Sequence, residues 1–505
     1  MKIVNIKIEN FRSYKNETTI PLNDLTVLIG KNDAGKSTVL EGLDIFFNDS
    51  KGRVKAEPND ININLKTSEK SFSISVTFTD FPKEIIIDSS AKTNLKDEYL
   101  LNDSGFLEIK KEYKITGNKI APTVYIVANH PSNESCSNLL SMKNADLKKK
   151  VEELNIKCPN KKINNLMRKA IWEHFSKDLK LKNRLISTDK EDAEKILKFI
   201  NAQLPTYTLF QSDRQNKDND VEVQDPLKAA TKEILKNEKI GQELSKIAKK
   251  VKEELSKVAD ATLDKLKKLD PKIAKKISPE IPDSDSLKWA DVFKNVSITG
   301  DSIPINKRGS GVRRLILLSF FMAEAEKNNS SNVIYAFEEP ETSQHADNQI
   351  MLIDAFKKIS FQPNKQVILT THSNDIVNEL DIENLVMITD DSKHKIIDLE
   401  NTLLHNSLNE ASYIAFGHPT EGYHDELYSL IEKNNKLKEL EKISRELFYI
   451  EERNGKPLKP KQICLSEYIR HQIHHPENKN NKPFSRKDLR ESIDIMRKFI
   501  SDQNI

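Results

Sequence analysis

The stretch Gly30-Lys-Asn-Asp-Ala-Gly-Lys-Ser-Thr38 decides the fold. It satisfies the pattern G-x-x-x-x-G-K-[ST] at every fixed position. Glycines at 30 and 35 let backbone N–H groups turn inward around a polyphosphate, and the helix that follows adds the positive end of its dipole. Lys36 is placed to reach the terminal phosphates and the Ser37 hydroxyl to ligate Mg²⁺, with Asn32 and Thr38 completing the loop's candidate contacts. The flanks agree. Leu25-Thr-Val-Leu-Ile29 is a short apolar run suited to a buried strand, and Val39 to Phe47 carries apolar residues at helical spacing.

Working outward, 505 residues suggest about three domains. The 80 basic and 77 acidic residues nearly cancel to a net +3, so nucleic-acid binding would need a local patch rather than the whole-chain field. No run approaches the ~20 apolar residues of a membrane span, and the alternating start Met1-Lys-Ile-Val-Asn-Ile-Lys-Ile8 lacks the core of a signal peptide. Cys136, Cys158 and Cys464 stand alone, which fits a reduced, cytoplasmic protein and supports neither a disulfide framework nor a zinc site.

The pattern divides the chain four ways. Residues 1–135 read mainly as strands around the loop and its helix, with Ser71–Thr79 alternating cleanly and Val124–Val127 a shorter run. Residues 136–290 turn rich in Lys, Glu, Leu and Ile with helical periodicity, which predicts a helical insertion; Pro226 to Leu269 reads as one or two long helices. Residues 291–395 return to alternating strands and helices, and 396–505 read as a helical C-terminal domain.

Val333-Ile-Tyr-Ala-Phe-Glu-Glu-Pro-Glu341 ends a buried strand in acids, as a nucleotide site requires opposite its phosphate loop. Glu338 is the candidate metal ligand and Glu339 the candidate general base for the attacking water. After the next apolar run comes Thr370-Thr-His-Ser373, which offers His372 to the terminal phosphate or the water. Upstream, Lys307-Arg-Gly-Ser-Gly-Val-Arg-Arg314 precedes an apolar helix and makes a second anion cradle at Ser310 and Gly311. That cradle reaches a phosphate held by Gly30–Thr38 only if a second subunit supplies it, so the expected assembly is a head-to-tail homodimer, open to building larger oligomers.

Together these motifs resemble the ABC-type ATPases of the SMC/RecF/OLD branch. The fold so implied is an α/β ATPase head, a mixed sheet with its P-loop, carrying a long helical insertion and an all-α C-terminal domain. In Ile8-Glu-Asn-Phe-Arg-Ser-Tyr14 the resemblance implies that Arg12 contacts nucleotide; Gly30–Thr38 resembles the Walker A motif, Arg308–Arg314 a signature motif with Gly-Ser-Gly in place of Leu-Ser-Gly-Gly, Glu338-Glu-Pro-Glu341 the Walker B motif, and His372 the switch histidine. ATP and Mg²⁺ are the implied cofactors. Gln211 and Gln224 are candidates, by position, for the glutamine that such heads place near the metal.

Beyond residue 390 no D-x-D follows an apolar strand, so the Toprim nuclease of OLD-type relatives is not expected. Arg470-His-Gln-Ile-His-His475 instead resembles the R-x4-H motif of HEPN ribonucleases. RNA carries its own 2′-OH nucleophile, so a histidine (His475) and a phosphate-stabilising arginine (Arg470) suffice without metal. Residues five apart on a helix lie about 140° round from each other, so a local distortion near Pro476 or a helix end would help the pair converge. A three-histidine metal site at His471, His474 and His475, or simple pairing of Arg470 with an acid, are the other readings of the same residues. The resemblance implies an anti-phage effector whose ATPase dimer controls cleavage of RNA. The alternative is a sensor ATPase that answers a phage trigger and governs a separately encoded nuclease, with DNA binding open in either case.

Overall fold

The computed structural model describes residues 1–49, 52–65, 71–88, 91–116, 119–211, 238–280, 297–300, 303–304, 332–342, 344–391, 396–397, 399–404, 407–453 and 456–503. The chain divides into two compact units, Met1–Val27 with Gly35–Thr371 and Leu28–Ala34 with His372–Ile505.

The first unit opens with β1 (Lys2–Glu9), β2 (Thr18–Pro21), β3 (Leu25–Ile29) and α1 (Lys36–Asn48), then β4 (Ser71–Thr79), β5 (Leu107–Thr116) and β6 (Lys119–Pro131). Helices α2 (Asn144–Glu153) and α3 (Asn164–His174) precede β7 (Leu181–Ser187), and α4 (Glu191–Asn201) precedes β8 (Thr206–Phe210). Strands β2-β1-β4-β5-β6-β7 form an antiparallel sheet in that order. The alternation of β4 implies one wet face, yet both faces are covered. Phe72, Ile74, Val76 and Phe78 are buried, and so are Ser73, Ser75 and Thr77, whose small hydroxyl side chains permit close packing. Between Gln211 and the sheet's far strands run α5 (Glu238–Leu269), a single 32-residue helix, then β9 (Val333–Glu338), α6 (Ala346–Ser360) and β10 (Lys365–Thr370).

Strands β8, β9 and β10 are parallel neighbours, and β3 lies beside β10. The centres of these strands are apolar and buried, with half-buried polar residues such as Thr206, Thr208, Glu338 and Lys365 toward the edge and ends, as parallel strands covered on both faces require. Helix α1 packs against β9 and β10. Gln366 on β10 ties the two sheets together: its Oε1 accepts from Ile3 N at 2.8 Å and its Nε2 donates to Ile3 O at 2.9 Å.

The expected helical insertion at 136–290 requires correction. Residues Leu181–Ser187 complete the antiparallel sheet beside β6, and Thr206–Phe210 form the edge of the parallel sheet beside β9. Both are edge strands, short or studded with exposed polar residues, so their periodicity is weak, while the lysine-rich helices around them dominate the pattern. The strand anticipated at Val124–Val127 is likewise the middle of a longer one, β6, paired on both sides.

In the second unit the end of β3 neighbours β11 (Leu385–Ile388), which pairs with β12 (Ile396–Ile397), after a short helix α7 (Asn374–Asn378). Helices α8 (Leu408–Phe416), α9 (Glu421–Lys433), α10 (Leu465–His474) and α11 (Arg486–Gln503) follow, with a ribbon of β13 (Glu446–Tyr449) and β14 (Lys461–Cys464) inserted. Among the described residues the C-terminal region is therefore helical with short strand pairs added, rather than wholly helical. Ser407 and Thr420 accept the N-terminal N–H groups of α8 and α9 through their hydroxyls. Leu427 and Ile431 of α9, Leu465 and Ile469 of α10, and Ile493 and Met496 of α11 join in one core.

Candidate nucleotide site and C-terminal pocket

The loop after β3 is built on close approach. Gly30 has φ +142°, and a Cβ there would stand 2.0 Å from the carbonyl oxygen of Ile388, so no other residue fits. Gly35 has φ +106° and ends the loop; its carbonyl accepts from the Tyr14 hydroxyl at 3.1 Å, and a Cβ would meet Ser13 Oγ at 2.6 Å. It has no side chain to cap α1, and no acidic residue occupies the helix's first turn, which leaves the positive helix end to an anion. Lys36 and Thr38 are buried at the start of α1, Ser37 is half-buried between them, and Asn32 is exposed at the loop tip.

Arg12 follows β1 in a left-handed turn with φ +48°. Its guanidinium pairs with Glu41 of α1 and donates from Nε to Asp60 Oδ1 at 2.8 Å. Gln211, directly after β8, donates to the other oxygen of Glu41 at 3.1 Å. One glutamate, a turn beyond the loop lysine, thus holds both the arginine and one of the two glutamines singled out by position. The other, Gln224, lies outside the described residues, as do Ser310 and Gly311. Glu41 and Asp60 carried no local signal, because the clamp joins segments far apart in sequence.

At the end of β9, Glu338 is the register partner of Thr370. Glu339 leaves the strand with φ +41°, an uncommon conformation for a residue with a side chain. Its N–H donates to Thr370 Oγ1 at 3.0 Å, and its carbonyl accepts from Thr342 N at 3.1 Å and Thr342 Oγ1 at 3.0 Å. Glu341 is buried and accepts from Thr371 Oγ1 at 2.8 Å. The turn is therefore pinned from both sides, while Glu338, which ends the strand, and Glu339, which follows it, remain half-buried. In the second unit His372 sets its ring 6.0 Å from that of Phe416, the last residue of α8.

The C-terminal candidates gather around a cavity of about 280 Å³ lined by Arg470, His471, His474 and His475 with Tyr428 and Glu432. Arg470 lies over the Tyr428 ring at 4.4 Å and donates to Ser429 Oγ and Glu432 Oε2, each at 3.2 Å. Helix α10 ends at His474. His475 is its C-cap with φ −127° and ψ 61°, so the chain bends ahead of Pro476 and brings His475 to the cavity. Each imidazole faces its own carboxylate: His471 Glu467 at 3.3 Å, His474 Asp425 at 2.9 Å, and His475 Glu477 at 3.2 Å. Among the described residues no group of His, Cys, Asp and Glu is arranged to hold a metal ion, which removes the three-histidine reading. Beneath the cavity His424 is buried, with Nε2 3.0 Å from Ser492 Oγ; burial, aided by the Arg470 charge, lowers its pKa from 6.5 to about 3.

A family model described as an AAA ATPase domain matches residues 1–377. The chain belongs to that family. It is an ATPase with an α/β fold of mixed sheets and helices, and nucleotide use comes with the family. Comparison with curated proteins gives no match. Among solved structures, an SMC head bound to the C-winged helix domain of ScpA is 14% identical, covering 77% of this chain and 94% of that one at a TM-score of 0.41. The SMC head domain from Thermotoga maritima is 13% identical over 77% and 95%, with a TM-score of 0.34. A Pyrococcus furiosus Smc head with an extended coiled coil, bound to the C-terminal domain of ScpA, is 14% identical over 79% and 97%, with a TM-score of 0.37. No helix among the described residues is long and apolar enough to cross a membrane.

Proposed function

We propose that this ATPase is an ABC-type head of the SMC/RecF/OLD branch that works as a homodimer and controls a metal-independent ribonuclease in its own C-terminal domain, as a toxin-type anti-phage effector. Lys36 and the loop's N–H groups would hold the β- and γ-phosphates of ATP, with Arg12 reaching the nucleotide from its clamp on Glu41. The Ser37 hydroxyl and the Glu338 carboxylate, both half-buried, would supply oxygen donors, the donor chemistry that Mg²⁺ takes. Bound there, Mg²⁺ would neutralise charge building on the phosphates. Glu339 would take the proton of the attacking water, and His372 would sense the terminal phosphate. Ser310 and Gly311 would close on the nucleotide of the partner subunit.

The observation that carries the ribonuclease is the meeting of Arg470 and His475 at one cavity, despite a spacing that keeps them apart on a regular helix. A guanidinium beside an imidazole suits a reaction whose nucleophile is the substrate's own 2′-OH. Control by ATP is favoured by the packing of His372 on α8, because Tyr413 of α8 sits in the same core as Leu465 and Ile469 of the arginine's helix.

The test compares wild type, Glu339→Gln and the double variant Arg470→Ala/His475→Ala for growth, ATP turnover and total RNA integrity. RNA breakdown and toxicity are expected from wild type and absent from the double variant, with ATP turnover retained there. If wild-type protein cuts no RNA with ATP, with ADP or without nucleotide, the ribonuclease reading falls and the sensor ATPase takes its place.

A further inference from the structure

The C-terminal cavity is built from facing stripes of two helices. On α10, Glu467, Arg470, His471 and His474 recur at intervals of three and four, so they share one face; on α9, Asp425, Tyr428, Ser429 and Glu432 do the same. His474 therefore shares a helical face with Arg470, whereas His475 reaches the cavity only because the chain bends at the helix end. The two histidines also differ in setting. His474 Nε2 lies 2.9 Å from Asp425 Oδ2, whose side chain is 27% exposed, and the second oxygen of that carboxylate is buried with no hydrogen-bond partner in the structure. His475 faces Glu477, which is 71% exposed.

Transfer of a phosphoryl group from a 5′-oxygen to a neighbouring 2′-oxygen needs one group to take a proton and another, on the opposite side of phosphorus, to give one. A carboxylate on one ring nitrogen fixes the proton there and leaves the other nitrogen to act as a base. We infer that His474, oriented by Asp425, is the general base of the C-terminal site and that His475 is its general acid. This rests on the ribonuclease reading above and adds a catalytic residue and a positioning residue to it.

The reaction balances without an added component. His474 Nδ1 takes the 2′-OH proton as the O2′–P bond forms. The P–O5′ bond breaks, and the departing oxygen takes a proton from protonated His475. Arg470 holds the charge on the phosphoryl oxygens. The products are a 2′,3′-cyclic phosphate and a 5′-hydroxyl, and proton exchange with water resets both rings.

The experiment uses the full chain and two oligonucleotides with a single scissile bond, one natural and one with sulfur in place of the bridging 5′-oxygen. A thiolate leaves without a proton, so the sulfur substrate needs the base but not the acid. His474→Gln is expected to lose ~100-fold or more on both substrates, and His475→Gln to lose as much on oxygen yet recover to within ~10-fold of wild type on sulfur. Asp425→Asn is expected to lower kcat ~10-fold or more with KM unchanged, since it acts through His474 and not on the substrate. The urea midpoints of all three variants report whether the helices still pack.

Cleavage by His474→Gln or Asp425→Asn within twofold of wild type, with Arg470→Ala inactive, overturns the inference and leaves the ribonuclease standing. Sulfur rescue of His474→Gln in place of His475→Gln overturns the assignment of roles. A wild-type protein inactive on both substrates in every nucleotide state removes the ribonuclease itself.

Discussion

Replacing Glu339 by glycine should make the protein more stable and stop it turning over ATP. The residue has φ +41°, a left-handed conformation in which the Cβ crowds the following carbonyl. That crowding costs ~1–2 kcal/mol for a residue with a side chain and nothing for glycine. Against the gain stands the extra freedom glycine gives the unfolded chain, ~0.5–1 kcal/mol relative to alanine. The difference leaves Glu339→Gly more stable than Glu339→Ala by ~0.5–1 kcal/mol, the reverse of their order in an ordinary strand or helix. The turn that imposes this conformation survives both changes, because its bonds to Thr370 Oγ1 and Thr342 use the backbone of residue 339. Urea unfolding at matched slopes measures the stability order. ATP turnover should fall ~100-fold or more in the Gly, Ala and Gln variants alike, while nucleotide binding persists in all three. Two results would refute the reasoning: an alanine variant more stable than the glycine one, which would mean the turn stores no strain, or wild-type turnover by Glu339→Gln, which would mean the carboxylate moves no proton.

Three further outcomes follow from charge. Arg168 is fully buried, donating to Glu98 at 2.8 and 2.9 Å and pairing with Asp192, so Arg168→Met leaves the buried Glu98 without a cation and Asp192 with Lys195 alone, at 2.9 Å; a loss of ~3–5 kcal/mol is expected in urea unfolding of the first unit. Glu432 is 53% exposed where it holds Arg470, an arrangement worth at most ~1 kcal/mol, so Glu432→Gln should free the guanidinium and lower KM for RNA by up to ~5-fold with kcat little changed. The folded protein keeps the buried His424 ring neutral where the unfolded chain takes up a proton. Its contribution to stability is therefore complete above pH 6.5 and is lost as pH falls toward 3, and wild type should lose ~1.4 kcal/mol per pH unit more than His424→Gln across that window in acid-unfolding curves.

What the sequence made legible was whatever chemistry is contiguous. Gly30–Thr38 stood out because its motif is made by adjacent residues, and each glycine answers to a steric need visible in the structure, at Ile388 for one and at Ser13 and Tyr14 for the other. The strands β3, β9 and β10 were legible as apolar runs because parallel strands are buried on both faces. Edge strands have no such signature: in β7, Leu181 and Leu185 are 44% and 51% exposed, and the segment reads like its lysine-rich surroundings. Long-range pairs were equally silent. Nothing near Arg12 announces Glu41 or Asp60, and nothing near His474 announces Asp425, since each pairing exists only once two elements have packed.

Both arginines proposed to meet a bound anion, Arg12 and Arg470, are held by carboxylates, and this bears on how each site would work. Arg12 is clamped between Glu41 and Asp60, and Arg470 is held by Glu432, Ser429 and the face of Tyr428. A flexible arginine loses up to ~2 kcal/mol of rotamer freedom when it engages an anion, and a pre-positioned one has already lost it. The carboxylate that supplies this order also competes with the phosphate, so the geometry gains specificity at some expense of affinity. The two sites differ in how hard that competition is. At Arg12 the carboxylates of Glu41 and Asp60 are only 17% and 10% exposed and one of them also binds Gln211, so displacing them requires α1 or the β1 turn to shift. At Arg470 the competing carboxylate sits at the surface, where an incoming phosphate can push it into water. Motion of the backbone is thus needed to release the arginine at the nucleotide end, while at the C-terminal cavity rotation of one glutamate side chain is enough.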